Sequence, residues 1–224
     1  MFGIVCMHYC VITGGPLKDE ALSAVRADHI ICADGGTDFA CKHSIIPELV
    51  VGDLDSITQE GLSYIEEHDI PVQKLEIEKD WTDTEIALNR IPDGSEVTIV
   101  CPLGINVRLD HVIGNIQLAA ALAGKHKRIV LTDGITRVFL MSGKDSITVD
   151  LTQYEIKLAV SLVPLSFDSS VKDVTTTGLY YSLNGGELIA GKTYSFCNHP
   201  VDGASEFSVS IGEGILAVIV TEEA

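Results

Sequence analysis

Leu49–Thr58, LVVGDLDSIT, runs apolar into a glycine and then places two carboxylates, Asp53 and Asp55, one residue apart. A short apolar run ending in glycine reads as a buried strand, with the acids just past its carboxyl end. Working outward, apolar strand-like runs (IVCMHYCVIT, HIICA, ELVVG, EVTIVC, RIVLT) alternate with helix-like segments (KDEALSAVRA, TQEGLSYIEEH, TDTEIALNRI, LDHVIGNIQLAAALAG). That alternation predicts an α/β domain, a parallel sheet flanked by helices, over residues 1–137. From Val138 onward the pattern changes to short alternating strands (SITVDL, YEIKLAVSLV, GLYYSL, EFSVSI, GILAVIV) between Gly, Asn, Asp and Pro turns. Residues 138–224 are therefore expected to form a smaller antiparallel all-β domain, with LNGG at Leu183–Gly186 as a hairpin turn.

The chain has 224 residues, 46% of them hydrophobic, enough for packed cores. Its formal net charge of -17 argues against nucleic acid or an anionic membrane as partner, because both would be repelled. An anionic small ligand remains open if a cation accompanies it. The six cysteines show no CxxC spacing and several lie in apolar runs, which favours reduced thiols and a cytoplasmic location. The N-terminal MFGIVCMHYCVITGG lacks a basic leader and reads as a first strand rather than a signal peptide. No apolar run has membrane-spanning length.

In a parallel sheet, ligands bind beyond the carboxyl ends of the strands. Three acidic motifs fall there: ADGG with Asp34, GDLDS with Asp53 and Asp55, and EKDWTDTE with Asp80 and Asp83. Hard divalent cations such as Mg2+ take oxygen ligands and keep room for waters and substrate phosphates, so gathered carboxylates suit one. Aspartate is also common in turns and at helix starts, and Thr82 with Glu85 fits a capping box that needs no catalysis. A fourth element, PLGINVRLDHVIGN, sets Arg108, Asp110 and His111 at the mouth of a helix, where a forked donor and backbone N–H groups can meet phosphate. The plain alternative makes Asp110 an N-cap and His111 a surface residue.

These residues resemble the thiamine pyrophosphokinase family over nearly the whole chain. The likeness rests on ADGG, PELVVGDLDSI, EKDWTDTEIAL, the RLDH of Arg108–His111 with Asn115, and in the second half TTGLYYSL and FCNH. It implies a Rossmann-like domain that binds ATP and a β-sandwich domain that contributes to a thiamine site, in a homodimer with sites formed between subunits. It implies catalytic roles for Asp53, Asp55, Asp83, Arg108 and Asp110, with magnesium on Asp53, Asp55 and Asp83. Asp34, Asp80, Thr82, His111, Asn115, Tyr181, Cys197 and Asn198 fall on its substrate-binding motifs. Two departures stand out. Asn106 and Val107 occupy the place of the family's glycine pair, which predicts a different backbone path for the phosphate loop. Cys197 stands where a serine usually precedes Asn198, so a hydroxyl contact is altered.

The expected chemistry is in-line attack of the thiamine hydroxyl on the β-phosphorus of ATP, which depends on positioning and charge neutralisation rather than on a nucleophilic side chain. Asp53 and Asp55 share a side if extended and diverge if the turn begins between them. An aspartate is also a candidate acceptor for the hydroxyl proton, although a carboxyl pKa near 4 makes a weak base. Three rival readings exist. Gly186–Thr193, GELIAGKT, satisfies the phosphate-loop pattern but no helical periodicity follows it. An acidic edge can store a divalent ion without turnover. Cys6, His8 and Cys10 share one face of the first strand and could hold zinc, but the run is otherwise apolar and lacks a fourth ligand. Tyr180 and Tyr181, adjacent in an expected strand, should face opposite ways, leaving one to stack on an aromatic ligand.

Overall fold

The computed structural model describes residues 6–76, 80–104, 106–154, 157–166 and 170–223. Residues 1–5 of the expected first strand, Glu78 and Lys79 of the EKDWTDTE motif, and Glu155 and Ile156 of the YEIKLAVSLV run lie outside them. The chain divides into two compact units, Met1–Leu118 with Lys125–Gly134, and Ala119–Gly124 with Ile135–Ala224.

In the first unit β1 (His8–Thr13), β2 (His29–Ala33), β3 (Leu49–Gly52), β4 (Val72–Lys74), β5 (Glu96–Val100) and β6 (Arg128–Thr132) lie side by side in the order β4-β3-β2-β1-β5-β6. Every neighbouring pair is parallel. The chain moves outward from β1 to β4 and then returns to place β5 on the other side of β1. This reversal is the switch point at which open α/β sheets leave a crevice for ligands. The central strands are buried nearly throughout, which is why they read as apolar runs rather than as alternation.

Helices α1 (Gly36–Lys42), α2 (Gln59–Glu67), α3 (Asp83–Leu88) and α4 (Leu109–Leu122) join the strands. Thr58 caps α2 by accepting the Gly61 N–H at 3.2 Å, and Thr82 caps α3 by accepting the Glu85 N–H at 3.2 Å. The expected helix in KDEALSAVRA is instead a single 3-10 segment, Asp19–Ala24. Its flanking Lys18 offers no side-chain cap, and six residues are too few to sustain an α-helix unaided.

In the second unit β7 (Thr136–Ser142), β13 (Ile215–Glu222) and β9 (Leu158–Pro164) pair antiparallel in the order β7-β13-β9. A second sheet runs β11-β10-β12-β8, from β11 (Gly186–Leu188), β10 (Val171–Thr177), β12 (Glu206–Ile211) and β8 (Asp145–Asp150). Alternate residues of β9, β8 and β12 are buried, so one face of each sheet is apolar. Leu162, Val218, Val174 and Phe207 meet in one core between the sheets, which makes this unit a sandwich. GLYYSL is not a strand: Gly178, at φ 71°, turns the chain out of β10, and an added Cβ there would lie 2.4 Å from the Glu206 carbonyl oxygen. Leu183–Gly185 of LNGG accordingly close a long connection over residues 178–185, rather than a tight hairpin turn, and Gly186 opens β11.

Candidate active site

The register of β2 on β3 sets Ala33 beside Val51, so that Asp34 and Gly52 emerge together at the carboxyl edge. The Asp34 N–H donates to the Val51 carbonyl oxygen at 2.8 Å, and Asp34 takes the left-handed φ of 44°. Gly52 makes room for it: a Cβ there would lie 2.9 Å from the Asp34 Cβ. The glycine before Asp53 is therefore a packing requirement of the aspartate on the neighbouring strand.

Past Gly52 the chain turns through Leu54 at φ 71°, and the Asp55 N–H donates to Asp53 Oδ1 at 3.2 Å. This turn resolves the question of whether the two acids diverge. Asp34, Asp53 and Asp55 bring one carboxylate oxygen each to within 4.8 Å of one another. Asp34 Oδ1 is buried without a hydrogen-bond partner among the described residues. Burial pushes the Asp34 carboxyl above its ordinary range; hydrogen bonds from the Ser56 side chain and the Gly35 backbone oppose the shift, and the charges of Asp83 and Asp53 add to it. A buried, unpaired oxygen among three carboxylates fits a hard cation with oxygen ligands.

The family resemblance implies a metal on Asp53, Asp55 and Asp83. The carboxylate cluster contains the first two together with Asp34, which the β2–β3 register brings to the same edge. Asp83, in the first turn of α3, lines the adjoining cavity and acts on Asp34 electrostatically. That cavity, about 570 Å³, opens at the switch point. Its walls include Gly14 and Gly15 after β1, Asp34 and Asp38, Thr82, and Arg108. Gly15, at φ 113°, passes so close to Pro102 that a Cβ would lie 2.9 Å from its ring.

Arg108 donates through Nε to Asp110 Oδ1 at 3.2 Å and through Nη2 to Oδ2 at 2.5 Å. The pair holds the Asp110 carboxyl below its usual range and the guanidinium above its own. Asp110 is thus not the N-cap of α4, which already begins at Leu109; it orients the arginine. His111 and Asn115 line the cavity on the same helix, whereas Asp80 is exposed and does not line it. Asn106 takes φ 65°, the left-handed conformation that glycine and asparagine adopt most readily. Unforeseen cavity residues are Asp38, Phe39, Lys42 and Ser56. A glycine pair directly after an apolar strand, Gly14–Gly15, was the available signal for that wall.

In the second unit, Asn198 is buried and its amide makes three hydrogen bonds. Oδ1 accepts the N–H groups of Tyr181 at 3.0 Å and His199 at 2.9 Å, and Nδ2 donates to the Tyr181 carbonyl oxygen at 2.8 Å. Asn198, expected to touch substrate, ties down the backbone of Tyr181 and the His199 N–H. Tyr180 and Tyr181 are both exposed rather than facing opposite ways, with ring centroids 5.0 Å apart, and Tyr180 stacks on His199 at 4.8 Å. Cys197 is exposed and left-handed at φ 57°.

The rival sites dissolve. No helix follows GELIAGKT, whose first residues form β11. Cys10 is buried, with its thiol pushed up to about 12 by desolvation, and His8 Nε2 pairs with Thr98 Oγ1 at 2.8 Å. All six cysteines are free thiols. Among the described residues no helix is long and apolar enough to cross a membrane.

Residues 22–131 match the thiamin pyrophosphokinase catalytic domain and residues 146–216 match the thiamin pyrophosphokinase vitamin B1 binding domain. The thiamine pyrophosphokinase of Bacillus subtilis (strain 168) is 30% identical over 213 residues, 93% of this chain and 96% of that protein.

The chain belongs to the thiamin pyrophosphokinase family.

The crystal structure of the Bacillus subtilis family member superposes with a TM-score of 0.81 at 26% identity, covering 97% of this chain and all (100%) of that one. The thiamin pyrophosphokinase of Candida albicans reaches 0.79 at 17% identity, over 97% of this chain and 90% of its own, and so shares the fold. Thiamin pyrophosphokinase membership accounts for both halves of the chain: the catalytic-domain match lies in the first unit apart from Ala119–Gly124, and the vitamin B1 binding match lies in the second.

Proposed function

We propose that this protein transfers the diphosphate of ATP to the hydroxyl of thiamine, yielding thiamine diphosphate and AMP, with magnesium as its metal, as a cytoplasmic homodimer. The observation that carries the proposal is the Asp34, Asp53 and Asp55 trio with its unpaired buried Asp34 oxygen, beside a cavity that Arg108 also lines. Residues 1–137 bind nucleotide and diphosphate, and 138–224 contribute the thiamine side. In the reaction the hydroxyl oxygen bonds to the β-phosphorus, the bond from that phosphorus to the bridging oxygen breaks, and AMP leaves with the electron pair. The metal, when held by Asp34, Asp53 and Asp55 with Asp83 nearby, supplies charge neutralisation for the diphosphate. Arg108, oriented by Asp110, offers its remaining guanidinium N–H groups to phosphate oxygens. The hydroxyl proton passes to a carboxylate or to water. Exposed Tyr180, Tyr181, Tyr194 and Phe196 supply aromatic surface for a thiamine ring and a second subunit.

The test is AMP release from ATP and Mg2+, with and without thiamine, for the parent and Asp53→Asn. Thiamine-dependent AMP formation that falls by about 100-fold or more in the variant supports the proposal. AMP that appears equally without thiamine, or never appears with it, defeats it.

A further inference from the structure

We infer that Asp38 is a positioning residue that holds the carboxylate loop in its metal-binding shape; the inference rests on the metal site proposed above. The loop between β3 and α2 carries Asp53 and Asp55 and contains Leu54 at φ 71°. A branched, non-glycine residue there costs on the order of 1–2 kcal/mol, so the turn persists only if both ends are tied down. At the first end, Gly52 packs against Asp34. At the second, Asp38 holds Thr58 through three contacts. The Thr58 N–H lies 3.1 Å from each Asp38 oxygen, and the Thr58 hydroxyl donates to Oδ1 at 2.7 Å. The same hydroxyl oxygen accepts the Gly61 N–H, so the clamp and the cap of α2 are one structure.

Two further observations place Asp38 in this role. A Cβ on Gly61 would lie 2.2 Å from Asp38 Oδ1, so the first turn of α2 leaves space for that carboxylate. Between the clamp and the trio stands Ser56, which donates to Asp55 Oδ1 at 2.8 Å. Asp38 is outside the trio and acts on it through Thr58 and Ser56. Outer-shell partners of this kind are worth about 10–100-fold in metal affinity.

The experiment is calorimetric titration of Mn2+ into the full chain without nucleotide, for the parent, Asp38→Ala and Asp38→Asn, with thermal melts of each. Asp38→Ala should weaken Mn2+ binding by about tenfold. Asp38→Asn, whose amide oxygen can still accept both Thr58 donors, should recover most of that loss. If Asp38→Ala does not fold, Thr58→Val removes the hydroxyl while leaving the Asp38 charge and should weaken binding in the same direction. Parent-like Mn2+ affinity in Asp38→Ala, or in Thr58→Val where that variant takes its place, overturns the inference alone. A loss that Asp38→Asn fails to recover also overturns it, because the charge and not the clamp then matters. A parent chain that binds no Mn2+ removes the metal site itself and the inference with it.

Discussion

Replacing Asn198 by alanine isolates the part of the second unit that sequence motifs described least well. The side chain is 5% exposed and makes three hydrogen bonds, two to Tyr181 and one to the His199 N–H. Each such bond contributes about 0.5–1.5 kcal/mol net, and water can reach the freed groups of exposed Tyr181, so the loss should total about 2–3 kcal/mol. In a chain of this size that lowers the melting transition by about 4–12 °C. The Val160 and Asn198 backbones pair at 2.8 Å in both directions and remain intact, so the sandwich still folds. The freed Tyr181 segment should raise the KM for thiamine while leaving the KM for ATP near that of the parent. The assays are a thermal melt and initial-rate kinetics with each substrate varied. An unchanged melting temperature with an unchanged KM for thiamine would refute the positioning role of Asn198.

Gly36→Ala would place a Cβ 2.1 Å from the Ile12 carbonyl oxygen, forcing the start of α1 back by about 1 Å and costing about 1–3 kcal/mol; chemical denaturation should show that loss together with a fall in turnover. His126 is buried with Nδ1 unpartnered among the described residues, and desolvation lowers its pKa, so the unfolded chain takes up the proton more readily. Stability should therefore be full above about pH 6.5 and decline below it, by less than about 1.4 kcal/mol per pH unit, with His126→Gln removing that share of the slope in denaturation midpoints measured from pH 7.5 to 5.5. Lys192→Ala should leave nucleotide turnover near the parent value, since no helix follows its loop; near-total loss would revive the phosphate-loop reading.

The parallel sheet was legible because its strands are buried on both faces and so appear as unbroken apolar runs separated by helical periodicity. Local end signals were equally plain: Thr82 with Glu85 marks the start of α3, and a cap needs only residues three apart. β4, β7 and β10 were not foreseen; β4 is three residues long and β10 is VKDVTTT, largely polar, so neither carries a strong pattern. In the site, the sequence by itself determined which acids stand at strand ends and that Arg108 and Asp110 belong together. Only the tertiary structure decided that Asp34 gathers with Asp53 and Asp55, that Asp38 secures Thr58, and that the Asn198 amide ties down Tyr181 and His199. Each of those outcomes depends on strand register and on left-handed turns at Asp34, Leu54 and Cys197. Side chains of those types favour the right-handed or extended regions on their own, and it is packing across elements distant in sequence that holds them elsewhere.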